Sequence, residues 1–243
     1  MNKTHDGFKL LAMMLLLLAH LSCTDNPAST EDIGSVKISV KKVSQPTAQA
    51  ASHILSTATG VTITSARVVI KKIKFESIID DTLDFKFREP FVQELMTGST
   101  LTLIETLQVP FGSYKKSKIK IDDLDAEDGQ VYVDNPELQD RSVVVKGYVN
   151  NDLAETFVFS FEFDEEQEKV FDPPLVLDAS NPTTNIVLEV NMSIWFTDAQ
   201  GNLLDPRVSE NESTIENNIK DSIDIFEDHD DDGERDDDNE SAD

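Results

Sequence analysis

Cysteine is nearly absent: there is one in 243 residues. No intrachain disulfide can form, and no cysteine cluster can hold a metal. Basic residues are scarce as well, 21 against 47 acidic, for a formal charge of −26. That balance speaks against sequence-independent nucleic-acid binding, which needs a basic surface to displace counterions. It also speaks against docking on anionic lipid through protein charge. Histidine occurs only four times, and a hydrolytic triad needs one held between a nucleophile and a carboxylate. His53 lies in SQPTAQAASHILSTATG, a loop-like stretch without G-x-S-x-G. Walker, G-x-G-x-x-G and H-E-x-x-H patterns are missing. The expectation is a protein that is not an enzyme. Carboxylate pairs for glycoside hydrolysis are set in space rather than in sequence. Here Glu162, Asp164, Glu165 and Glu166 read more simply as a solvated hairpin end.

No apolar run reaches the roughly 20 residues of a membrane-spanning helix. The longest, residues 10–21, is broken only by His20 and follows Lys3 and Lys9. Its length is that of a signal-peptide core. The sole cysteine, Cys23, comes directly after it, followed by polar residues 24–31. This arrangement resembles a bacterial lipoprotein signal peptide, with His20 where that class usually has Leu. The resemblance implies removal of residues 1–22, acylation of Cys23, a tether over 23–34, and anchoring in a lipid bilayer of the cell envelope, with the outer membrane favoured. Several acyl chains on one residue give stable anchoring where one chain is marginal.

The body alternates with period two. In SVKISVKKV (35–43), Val36, Ile38 and Val40 oppose Lys37, Ser39 and Lys41. In residues 61–77, Ala66, Val68 and Ile70 share a face, then Ile73 and Phe75 take the opposite phase across Lys71-Lys72, the mark of a β-bulge. Further strands are expected at 101–109, 118–121, 130–133, 142–149, 155–163, 175–177 and 185–197. Asn150-Asn151-Asp152 signals a hairpin. Phe157, Phe159, Phe161 and Phe163 make one stripe, and Ile186, Leu188, Val190, Met192, Ile194 and Phe196 another. Both are read as core faces of central strands. Trp195 lies on the more polar side of its strand. It either caps the sandwich edge, the commoner case for Trp, or offers a flat ring to a sugar. Nine strands and 13 Phe suffice for one core. The expected fold is an all-β antiparallel sandwich, prealbumin- or immunoglobulin-like, over 35–207.

Three stretches, VTITSARVVIKKIKF (61–75), LQVPFGSYKKSKIKI (107–121) and IVLEVNMSIWFTDAQGNLLDP (186–206), follow one another behind the signal. The middle one looks like the strand–turn–Tyr–strand element of prealbumin-like and carboxypeptidase-regulatory-like sandwiches, with Gly112 permitting the tight turn and Tyr114 covering the core edge. Together they resemble a domain-of-unknown-function family of surface lipoproteins from Bacteroidota and related bacteria. The resemblance implies a β-sandwich and an envelope location, and no catalytic residues.

Residues 208–243 differ in character. From Glu210 onward there are 16 acidic and 2 basic residues, a net of −14. Ser213-Thr214-Ile215-Glu216 has capping-box spacing, and Ile215, Ile219, Ile223 and Phe226 recur at helical spacing. This predicts an amphipathic helix over 214–227 whose apolar face packs on the sandwich. It leads into Asp228-His229-Asp230-Asp231-Asp232-Gly233-Glu234-Arg235-Asp236. This D-x-D-x-D-G-x-x-D stretch looks like the entering half of an EF-hand or thrombospondin-type-3 calcium loop. The resemblance implies calcium at Asp228, Asp230, Asp232, Glu234 (through its carbonyl) and Asp236. Asn239 stands where an EF-hand has its bidentate Glu, which implies weak affinity. The bland reading is a solubilising acidic tail. The role expected is binding or assembly by an envelope lipoprotein. Alternatives are a carbohydrate-binding or adhesin-like module, an accessory subunit of an outer-membrane complex docking by the tail helix, and a weak glycosidase.

Overall fold

The computed structural model describes residues 32–43, 55–56 and 60–236. Residues 1–22 expected as a signal, Cys23, most of the stretch 23–34 expected as a tether, His53 and Asn239 lie outside the described residues. The strands in chain order are β1 (Ile33–Val43), β2 (Leu55–Ser56), β3 (Val61–Ser77), β4 (Phe85–Phe87), β5 (Phe91–Glu94), β6 (Leu101–Pro110), β7 (Gly112–Ile121), β8 (Val143–Val149), β9 (Thr156–Phe161), β10 (Glu165–Leu177), β11 (Thr183–Asn191) and β12 (Ile223–Asp228). Two α-helices, α1 (Gln130–Asp134) and α2 (Glu212–Asp221), interrupt them.

The strands form a β-sandwich. One sheet has the order β12-β11-β1-β6; the other runs β10-β7-β3-β8-β9, with β2, β4 and β5 also paired to β3. All pairings are antiparallel except β1 with β11, which is parallel. Each sheet turns its apolar residues inward, because alternate side chains face opposite sides of a strand. Val36, Ile38, Leu107, Ile186 and Leu188 from the first meet Ile63, Ile73, Phe75, Ile119 and Val145 from the second in one core. Beneath a loop, Val69, Leu124, Leu138 and Val144 form a smaller cluster.

Several local expectations are met. Along β3 the register with β7 shifts between Ile70 and Lys72, placing the bulge where the alternation changes phase. Asn150 and Asn151 sit at φ 56 and 55, and the Asp152 N–H closes a turn on the Val149 carbonyl at 3.0 Å within the β8–β9 hairpin loop. Tyr114 is buried and its hydroxyl donates to the Pro110 carbonyl at 2.7 Å. Gly112 is not at positive φ; instead the Tyr114 ring lies 3.6–3.7 Å from where its Cβ would stand.

Four expectations are corrected. Residues 130–133 are not a strand but belong to helix α1. A short run with two valines is ambiguous by periodicity, and here Val131 and Tyr132 pack on the smaller cluster from a helical turn. The four-Phe stripe is buried, but β9 lies at the edge of its sheet rather than its centre. The strand expected over 185–197 stops at Asn191, whose side chain accepts from the Ser193 N–H at 3.2 Å and starts a 3-10 turn at Met192–Ile194. The helix expected over 214–227 covers only Glu212–Asp221. Ile223-Asp224-Ile225 also alternates with period two, and pairing with β11 claims it as β12. The expected packing of the helix holds, since Ile215 and Ile219 are in the main core. Asn218 fastens α2 to the preceding turn, donating to the Thr197 carbonyl at 2.7 Å. The region expected as separate helix and tail thus supplies a strand and four core isoleucines, Ile215, Ile219, Ile223 and Ile225, to the sandwich.

Candidate functional site

Strand β12 carries the acidic loop onto the outer face of the four-stranded sheet. Register places Asp228 opposite Asn185, and Asn185 beside Lys37 of β1. On this face three buried polar side chains form a row across three strands. The Ser39 hydroxyl donates to Asn185 Oδ1 at 2.9 Å. Asn185 Nδ2 donates to Asp228 Oδ2 at 3.1 Å. Asp228 is wholly buried, at 0% exposure. Its two oxygens then accept backbone N–H groups from the loop, Oδ1 from Asp232 and Oδ2 from Gly233, each at 3.0 Å.

The loop bends through positive φ at Asp231 and Gly233. A Cβ on Gly233 would come 3.2 Å from Leu101 Cδ2, so the loop crosses the sheet toward β6. Lys37 pairs with Asp231. Arg235 pairs with Asp224 and stacks 5.1 Å from the Phe226 ring centroid. The His229 N–H donates to Asp236.

Of the five expected ligand residues, Asp228, Asp230 and Asp236 bring carboxylate oxygens within 4.8 Å of one another. Asp232 and Glu234 do not join that group, although both line the same open depression of about 650 Å³ with Glu227 and His229. The Asp232 side chain instead accepts the Glu234 N–H at 2.7 Å. Burial pushes the Asp228 carboxyl up, against the opposing pull of Gly233 N–H, Asn185 and Asp232 N–H. Burial raises Glu227 too, opposed by its bond from Thr184. Each carboxylate oxygen has two lone pairs, so an Asp228 oxygen holding one N–H can still face a cation. The three carboxylates offer hard oxygens, fewer than the six to eight that calcium takes. Lys37, Ser39, Asn185 and Glu227 carry no linear signal for this site: alternation marks a surface face and not what covers it.

Trp195 is 1% exposed and donates its indole N–H to Ser222 Oγ at 2.7 Å. The 3-10 turn rotates it off the polar face, so it offers no ring to a sugar. Asp164 pairs with Lys120 at 3.0 Å, and Glu166 with Lys118 and Lys72 at 3.1 and 3.2 Å. These carboxylates belong to a lysine–acid lattice on the outer face of β3, β7 and β10. Compared with protein-family models, curated proteins and solved structures, the chain matches none.

Proposed function

We propose that this protein is a non-catalytic cell-envelope lipoprotein, held in the outer membrane by acyl chains on Cys23. Its sandwich serves binding or assembly, and its C-terminal loop takes a calcium ion weakly. The lipid anchor is supported by the sole cysteine standing directly after a signal-like apolar run. The single observation that carries the calcium reading is the convergence of Asp228, Asp230 and Asp236 on a loop tied down by Asp228 itself. Asp228 would hold the ion from the sheet side and Asp230 and Asp236 from the loop, with a backbone carbonyl of Glu234 in reserve. The ion would supply positive charge that offsets the crowding of carboxylates. The order of affinity is that of extracellular modules, about 0.1–1 mM. The buried helix face and buried Trp195 argue against docking by the tail helix and against an aromatic sugar platform.

Calorimetric calcium titration of the chain, beside an Asp230→Ala/Asp236→Ala variant, tests the loop. Saturable binding lost in the variant supports it; equal heats in both remove the site. Fatty-acid labelling in a bacterial host tests the anchor, and label surviving Cys23→Ser removes it.

A further inference from the structure

Exposed apolar side chains gather at one end of the sandwich, around the β6–β7 turn. The Ile78 N–H donates to the Ser113 carbonyl at 3.0 Å, and Val176 pairs with Ser113 from the other side. Ile78 and Val176 therefore flank the β6–β7 turn, exposed at 49% and 44%. Beyond them project Ile79 and Leu83, at 76% and 56%. Between this loop and Phe111 lies a cleft of about 370 Å³. Singly exposed apolar residues are ordinary, but a contiguous group marks a contact surface.

The chain enters at this same end. The Phe111 N–H donates to the Asp32 carbonyl at 2.8 Å, and Ile33 pairs with Pro110. Nine residue steps separate Cys23 from Asp32, a reach of at most about 30 Å. The other end of the sandwich, at the β8–β9 turn beside Val61, lies roughly 50 Å away along the 17 residues of β3. An anchored Cys23 therefore brings the apolar end, and not the opposite one, within range of the bilayer.

We propose that Ile78, Ile79 and Leu83 dock into the membrane–water interface and fix how the sandwich stands on the membrane; this rests on the lipid-anchor reading. Asp80 and Asp81 share the loop, and the Asp80 side chain accepts the Thr82 N–H at 2.8 Å. Charges at that depth stay among the headgroups, so insertion is shallow, as for interfacial segments. The net charge of −26 favours a zwitterionic surface over an anionic one.

The test uses the full acylated chain in phosphatidylethanolamine–phosphatidylcholine vesicles. Once Cys23 is acylated, Ile79→Cys supplies the only thiol for an environment-sensitive dye. Leu153→Cys, in the opposite turn and also 76% exposed, is the matched control. The expected result is a blue shift at position 79, with loss of emission when the acyl chains are brominated, and neither change at position 153. Emission at 79 as water-like as at 153, in chains whose mass shows the acyl groups, overturns the docking and leaves the anchor standing. A blue shift without bromine quenching means a protein neighbour covers the loop, which also overturns it. Chains without acyl mass on Cys23 overturn the anchor, and the docking with it.

Discussion

Asp228→Ala should loosen the acidic loop without calcium being involved at all. Asp228 is fully buried and holds three donors: the N–H groups of Asp232 and Gly233 and the Asn185 amide. Asp232 N–H keeps a second acceptor in Asp230 at 3.3 Å. Gly233 N–H and the Asn185 amide are left without their acceptor. Each such loss costs about 1–3 kcal/mol, offset in part because the buried carboxylate is itself poorly solvated. A net loss of about 2–4 kcal/mol follows, or a fall in Tm of roughly 5–15 °C for a chain of this size. Asp230→Ala removes an exposed side chain and should change stability by less than about 0.5 kcal/mol. Calcium at 10 mM over an affinity of about 0.1–1 mM adds roughly 1.4–2.7 kcal/mol to the parent. Both variants should lose that increment. Urea unfolding with and without calcium, followed by fluorescence of Trp195, reads all of these values. An Asp228→Ala chain as stable as the parent without calcium would refute the buried row as the loop's fastening. An Asp230→Ala chain with the full calcium response would refute the ligand group.

Three further outcomes are expected. Gly147→Ala puts a Cβ into the Thr62 carbonyl oxygen and 2.9 Å from Phe157 Cε1. It should lower stability by about 3 kcal/mol or more, by overpacking between β3, β8 and β9, and near-parent unfolding would show that the strands can part. Trp195→Phe empties volume in the core and drops the bond to Ser222 Oγ. We expect a loss of about 2–4 kcal/mol against about 1 kcal/mol for Ser222→Ala, with a double-mutant cycle by circular dichroism showing that the two effects are not additive. Burial alone would push the Asp84 carboxyl up, but Lys74, the Ser77 N–H and Lys86 outweigh it and hold it below the usual range. A lowered carboxylate stabilises the fold above its unfolded pKa, and that contribution is lost as pH falls through the folded value. Asp84→Asn should therefore be about 1–3 kcal/mol less stable than the parent at pH 7, with the gap closing below about pH 4; a gap unchanged across that range would contradict the sign.

Strands β1 and β3 and the 118–121 half of β7 follow from alternation of β-branched and lysine residues, because a half-buried sheet position selects side chains by face. The bulge at Lys71 and the Asn150–Asn151 turn are equally local, one a change of phase and the other a pair of residues that tolerate positive φ. Other features were decided by tertiary contacts. Ile223-Asp224-Ile225-Phe226 satisfies helical and strand periodicities at once, and only the open edge of β11 selects β12. Residues 130–133 carry apolar side chains that fit either period, and the cluster beneath them selects a helix. Trp195 stands on the polar side of an extended chain and turns inward only because Asn191 caps a tight turn before it. The acidic spacing from Asp228 to Asp236 named the loop, and its own backbone brings Asp228, Asp230 and Asp236 together. What buries Asp228 comes from Ser39 and Asn185, more than 40 residues away in the chain, on strands that meet only because β1 and β11 run parallel in one sheet.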